Sequence, residues 1–204
     1  FKVVLTGEGA DEIGAGYSSF REDMLKSNSR GQDQSSINKM LADLQNANKI
    51  SIGIISSHRE CLPLDQVKNV LGYVPTMLKN SSSRGLQLAS LHRSDYLKKY
   101  ALEQDVFEQS LKGLDLSQLK GRDPVNQSLY IWSKTIFQGH LLIMYGDGME
   151  MSHSIEGRTP FLDHKLVECC RNIPVPMKIK GLKEKYIIRE SAKKYITRSV
   201  YEKQ

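Results

Sequence analysis

Cysteine is scarce in this sequence. Cys61, Cys169 and Cys170 form no CxxC spacing and leave an odd count, which argues against a disulfide framework or a zinc ribbon and for a reducing compartment. Long apolar runs are also missing. The stretch ISIGII at 50–55 is among the longest, far short of the ~18 apolar residues a membrane-spanning helix needs. No basic-then-apolar leader opens the chain, and the first residue is Phe1 rather than Met. That start reads as a piece of a longer chain. What remains is ordinary globular material: 204 residues, 39% hydrophobic and 25% charged, enough for one domain, two small ones or part of a larger one.

Charge is distributed unevenly. The formal net charge of +6 resides in residues 178–204, which hold nine Lys or Arg against three Asp or Glu, while residues 1–177 are neutral. A basic helix can bind nucleic acid or an anionic membrane. No aromatic stacking stripe or helix-turn-helix pattern accompanies this one. The favoured reading is a solvated helix face, with or without a phosphate-bearing small ligand beside it, and no nucleic-acid or membrane partner. His140, His153 and His164 show no ligand spacing, which argues against a histidine metal site.

Residues 2–6 (KVVLT) predict a buried parallel strand, short, β-branched and ended by glycine. Its hydrogen-bond partners are not obvious in the remaining sequence and are expected outside this chain. Residues 7–9 form a tight turn, and 10–20 predict a helix that Gly14 and Gly16 allow to pack closely or break. Helices are also predicted over 37–47, 63–71, 92–114, 160–171 and 182–196. The last is expected to bury Ile188, Ala192 and Tyr195. The pair Asp123-Pro124 is a cap followed by a first-turn proline. It should start a helix reaching about residue 145, with Leu129, Trp132, Ile136 and Ile143 on the buried face. Residues 50–57 fit strand or helix equally, 27–36 and 78–83 read as loops, and 146–159 as a glycine-interrupted segment. Two prolines make 173–181 extended. Met149 and Met151 read as packing residues, and there is no internal repeat.

The chemistry concentrates at Thr6-Gly7-Glu8-Gly9-Ala10-Asp11-Glu12. A strand–turn–helix junction of this kind gathers free N–H groups and often cradles phosphate. This turn lacks a Walker lysine and carries three carboxylates, which repel bare phosphate. A nucleotide would therefore enter through a bridging Mg²⁺, or one carboxylate would act as a base. Alternatively, the acids merely favour the first helical turn, by ~0.3–1 kcal/mol each.

Two stretches sharpen this reading. LTGEGADEIGAGY at 5–17 resembles the SGEGSDE(x)FGGY segment of the asparagine synthetases, and DGMEMSHSIEGRTPFLDHKLVE at 147–168 resembles their DRxSMAxSxExRxPFLDxxLVE segment. KEKYIIRES at 183–191 is similar to the family's KxxLRE helix. The likeness covers about 1–17 and 143–204; residues 18–142 carry no motif.

The resemblance implies an α/β parent fold, adenine-nucleotide hydrolase-like and of the PP-loop type, of which this chain is a mostly helical part. Residues 1–204 would be a partial synthetase domain of a cytoplasmic glutamine-hydrolysing ligase. ATP and Mg²⁺ would activate aspartate as its AMP ester. Ammonia from an N-terminal glutaminase domain would then amidate it, and a homodimer is compatible. Residue by residue, Glu8 matches the proposed base, Thr6 and Gly7 the nucleotide lining, and Asp11 the Mg–pyrophosphate end. Lys185 is assigned to the nucleotide as well. Glu156 and Arg158 read equally as a structural ion pair, Asp163 as a helix cap, and Lys185 with Arg189 as one helix face towards phosphate or solvent.

The chain departs from the family in several places. SGGxDS and an N-terminal nucleophilic cysteine do not occur, and the chain ends one residue before the lysine of RPKxGF, with Lys203 at its arginine. Gly148 replaces an arginine or lysine, and Ala15 stands where glycine is favoured. A relative that closes a lactam or amidates another acid, and a non-catalytic interaction module, are the competing readings.

Overall fold

The computed structural model describes residues 2–27, 31–47, 61–100 and 110–202. Helices dominate. In chain order they are β1 (Val3–Leu5), α1 (Ala10–Gly14), α2 (Ser18–Ser27), α3 (Gln34–Ala47), α4 (Asp65–Leu71), α5 (Thr76–Ala89), α6 (Ser94–Tyr100), α7 (Pro124–Trp132), α8 (Met149–Ser152), β2 (Glu156–Arg158), α9 (His164–Arg171), α10 (Val175–Lys178), α11 (Tyr186–Ala192) and α12 (Arg198–Glu202). A π-helical stretch, Ser133–Gly148, continues α7, and a 3₁₀ turn, Pro160–Leu162, follows β2.

β1 pairs in parallel with β2, Val3 opposite Glu156, Val4 opposite Gly157 and Leu5 opposite Arg158. Thr6 N–H extends the ladder to the Arg158 carbonyl at 2.9 Å. One strand partner therefore lies inside the chain, contrary to the sequence expectation. The expected burial also fails: Val3, Val4 and Leu5 are 42%, 41% and 73% exposed. The described sheet has two strands, and β2 brings Glu156 and Arg158 to it rather than apolar side chains, so little apolar surface covers β1.

The core forms two clusters joined by α7. Phe20, Met24, Ile37, Val125, Leu129, Val175 and Ile179 make one; Leu64, Val67, Met77, Leu111, Leu119 and Ile131 make the other. Trp132 packs against both. α7 starts as its sequence dictates, with Asp123 Oδ1 accepting from Val125 N–H at 2.8 Å ahead of Pro124. Beyond Trp132 the turn widens to π geometry, so the 3.6-residue face no longer holds. Ile143, predicted inside, is 57% exposed as a result.

Other expectations are corrected. The 10–20 helix is two helices, broken at Ala15, whose φ of 55° is left-handed. Residues 78–83 are not a loop but the middle of α5, where buried Ser82 accepts from Leu62 N–H at 2.7 Å. The 160–171 helix splits at Asp163, which is extended and caps α9 through Lys165 and Leu166 N–H. Residues 173–181 include a helical turn, α10, whose proline lies in its first turn, where no intrahelical N–H is needed. Helix 182–196 shrinks to α11, and Tyr195 is exposed. Met149 and Met151 are exposed too. Residues 50–57 and 101–109 of the 92–114 prediction lie outside the described residues.

Candidate active site

The junction between β1 and α1 is shaped by its glycines. Gly9 has φ 91°, and a Cβ there would sit 2.3 Å from Leu162 Cδ2, so a side chain is excluded by both backbone and space. Leu162 belongs to the PFLD stretch, so this contact and the β1–β2 ladder put the two sequence motifs side by side.

The three carboxylates of the turn have three different fates. Glu8 is half-buried and makes no hydrogen bond or ion pair among the described residues. Asp11 Oδ1 accepts from Lys185 Nζ at 2.9 Å. The Asp11 carboxylate lies against Gly16, where a Cβ would come within 1.8 Å of it. Glu12 is buried, and its Oε1 accepts from Tyr17 Oη at 2.9 Å and Trp132 Nε1 at 3.1 Å. Burial raises the Glu12 pKa against the opposing pull of those two donors, and Tyr17 is raised by its own burial and by Glu12. The repulsion of phosphate expected from three acids is thus reduced. One is paired with a lysine, one is enclosed behind the donors Tyr17 and Trp132, and Glu8 remains an open acceptor.

Of the residues singled out by sequence, Asp11 and Lys185 come together across 174 positions. Lys185 is not part of a helix face. It is the left-handed residue ahead of α11, at φ 50°, and its N–H donates to the Gly14 carbonyl at 3.2 Å. Thr6 Oγ1 is enclosed and has no hydrogen-bond partner, while Gly7 is exposed with open space around it. Glu156 and Arg158 pair at 2.7 Å on an exposed edge. Arg189, expected to share a face with Lys185, instead binds the Glu184 carboxylate and the Tyr201 carbonyl.

Sequence reasoning missed the buried network behind Lys185. Arg21 donates to the Leu182 carbonyl at 2.9 Å and to Glu184 Oε2 at 3.0 Å, while Arg189 holds the other oxygen of Glu184. These bonds clamp α2 to the segment that carries Lys185. The signal available was the KEKYIIRES stretch; nothing in the local sequence marks Arg21.

The sequence matches the asparagine synthase family over residues 1–204. The chain belongs to the asparagine synthase family. Its fold is that of the PP-loop ATP pyrophosphatases, here mostly helical with a parallel strand pair. It is similar to "Amidase chyE" of Penicillium rubens, 33% identical across 98% of this chain and 31% of that protein. "Amidase chry2" of Gibberella zeae is 30% identical over the same shares. Asparagine synthetase [glutamine-hydrolyzing] 1 of Bacillus subtilis is 29% identical across 93% of this chain and 28% of that protein. The chain therefore spans under a third of these relatives' length. No solved structure matches it.

Proposed function

We propose that this asparagine synthase family chain is part of an ATP-dependent amide-forming ligase, the C-terminal portion of its adenylating domain. The acid's carboxylate oxygen attacks the α-phosphorus of ATP and pyrophosphate leaves. Ammonia then attacks the acyl carbon of the AMP ester, and AMP leaves as the amide forms. The observation that carries this reading is the separation of the three turn carboxylates: Glu8 open, Asp11 paired with Lys185, Glu12 buried.

Glu8 takes the proton from the attacking nitrogen, a role worth ~10²–10⁴ in rate. A base needs an available lone pair, and Glu8 makes no hydrogen bond or ion pair among the described residues that would occupy its oxygens. Asp11 and Lys185 hold the pyrophosphate end. The donor set fits Mg²⁺ carried in with phosphate oxygens. Asp11 offers Oδ2, which is unbonded among the described residues, and Mg²⁺ usually takes only one or two carboxylates beside its phosphates. Bound there, Mg²⁺ would screen the charge that develops on pyrophosphate. Thr6 and Gly7 line the nucleotide. The enclosed, unpartnered Thr6 Oγ1 supports that assignment, because such atoms are rare without a functional reason.

In the family reading the acid is aspartate, the nitrogen comes from glutamine in a glutaminase domain of the same parent chain, and the whole works in the cytoplasm, with a homodimer compatible. A second reading, a different acid, has its own support: the two amidase-named fungal relatives align at 33% and 30%, above the 29% of the asparagine synthetase. The experiment is product analysis on the full-length protein with ATP, ammonium and a panel of acids including aspartate. AMP and pyrophosphate released in step with amide are expected. ADP and phosphate in their place would overturn the reading.

A further inference from the structure

A cavity of about 460 Å³ opens between α1, α7 and α9. It is separate from the turn acids proposed for catalysis: neither Glu8 nor Asp11 lines it, and Leu162, which also packs on Gly9, forms part of its wall. Its volume lies in the ~300–1,000 Å³ range of small-molecule sites. Leu129, Phe137, Leu162 and Val167 make its apolar wall. Four cations also line it, Arg122, Lys134, Arg171 and Lys178, against the single carboxylate of Glu12.

Lys178 is the unusual member. It is 4% exposed, and its side chain makes no hydrogen bond or ion pair among the described residues. Its stem is enclosed, while its ammonium keeps solvent contact at the cavity and has no side-chain partner. Neither anionisable group of the cavity answers it. Cys170 lies near, but burial pushes its thiol pKa up and keeps it neutral. Glu12 spends its Oε1 on Tyr17 and Trp132 and forms no ion pair with Lys178. Burial accordingly lowers the Lys178 pKa. Arg122, whose guanidinium donates to Gln118 Oε1 at 3.2 Å, stands in the same wall.

We infer that this cavity binds an organic anion with an apolar body, its anionic group meeting Lys178 and its body lying on Leu129, Phe137 and Val167. The inference does not depend on the adenylation reading, since Glu8 and Asp11 do not line the cavity and Glu12, which does, has no assigned step in that reaction. The missing counter-charge of Lys178 comes from the ligand, and the surrounding apolar wall makes the contact selective for amphipathic anions over phosphate alone.

The test uses the full-length protein and two probes of one shape, 3-phenylpropionate and the uncharged 3-phenylpropionamide, compared by titration calorimetry at pH 7. The acid should bind at least tenfold more tightly than the amide. Lys178→Met should abolish that preference while the thermal midpoint stays level or rises, because the substitution breaks no side-chain bond and keeps the enclosed apolar stem. Equal binding of the two probes, binding of neither at millimolar concentration, or a preference that survives in folded Lys178→Met would overturn the inference. Should that variant fail to fold, the ratio on the unsubstituted protein still decides.

Discussion

Single carboxylates carry most of what is distinctive here, and each responds differently to its surroundings. Asp23 was not marked by any sequence motif. It is buried, accepting from Thr76 N–H at 2.8 Å and Ser128 Oγ at 2.6 Å. Burial, partly offset by those two donors, pushes its pKa up to about 6 from 3.8. An acid raised on folding stabilises the protein fully below its unfolded pKa, and that contribution is lost as pH rises through the folded value. Asp23 should therefore make stability fall between about pH 4 and pH 6, by on the order of 2–3 kcal/mol. Asp23→Asn should flatten the curve over that window, as read from guanidinium unfolding at several pH values. An unchanged slope would contradict the assignment. Asp11 behaves otherwise. It and Lys185 are about a third and a quarter exposed (35% and 27%), so Asp11→Asn should cost no more than ~1 kcal/mol of stability. It should nevertheless weaken acid-dependent ATP–pyrophosphate exchange strongly. Equal modest effects on both would demote Asp11 to a surface ion pair.

At the scale of elements, local chemistry was legible where a residue acts on its own neighbours. Asp123-Pro124 and Asp163 announce helix starts, and both carboxylates accept the backbone N–H groups expected of caps. Asp163→Ala should lose ~0.5–2 kcal/mol and Asp163→Ser much less, in urea unfolding of the chain. A loss equal for both would mean the cap is not what holds α9. Legibility failed where tertiary context decides. The serine run in 78–83 looks like a loop, yet Ser82 and Ser83 are buried in α5, whose first turn Asp23 caps from another helix. Ile143 follows the right period for an α-helix but sits in a π-helical stretch. Ala15 occupies a left-handed position that costs an L-residue roughly 1–2 kcal/mol, the physical sense of the glycine expected there.

Across the whole molecule, the positive charge of residues 178–204 divides between cations that are paired or enclosed and cations such as Lys180, Lys183, Lys193 and Lys194 that stay exposed. Lys185 meets Asp11, Arg189 meets Glu184, Arg198 meets Glu202 and Lys178 is buried. Composition located this charge but could not say what it faces, because the partners lie up to 174 positions away. No described helix is long and apolar enough to cross a membrane. The exposed valines and leucine of β1 are a different matter. A short apolar strand with little cover invites pairing with other chains. Val4→Lys should lower light scattering by the 204-residue chain without shifting its melt, and unchanged scattering would show that β1 is not the sticky surface.

The account turns on Glu8 as the base of the amide-forming step, and the decisive measurement separates that step from acid activation. In the full-length protein, Glu8→Gln should slow amide formation by ~10²–10⁴ while acid-dependent ATP–pyrophosphate exchange stays within a few-fold of the unsubstituted rate. A parallel fall in both rates, or amide formation that continues unimpaired, would contradict it.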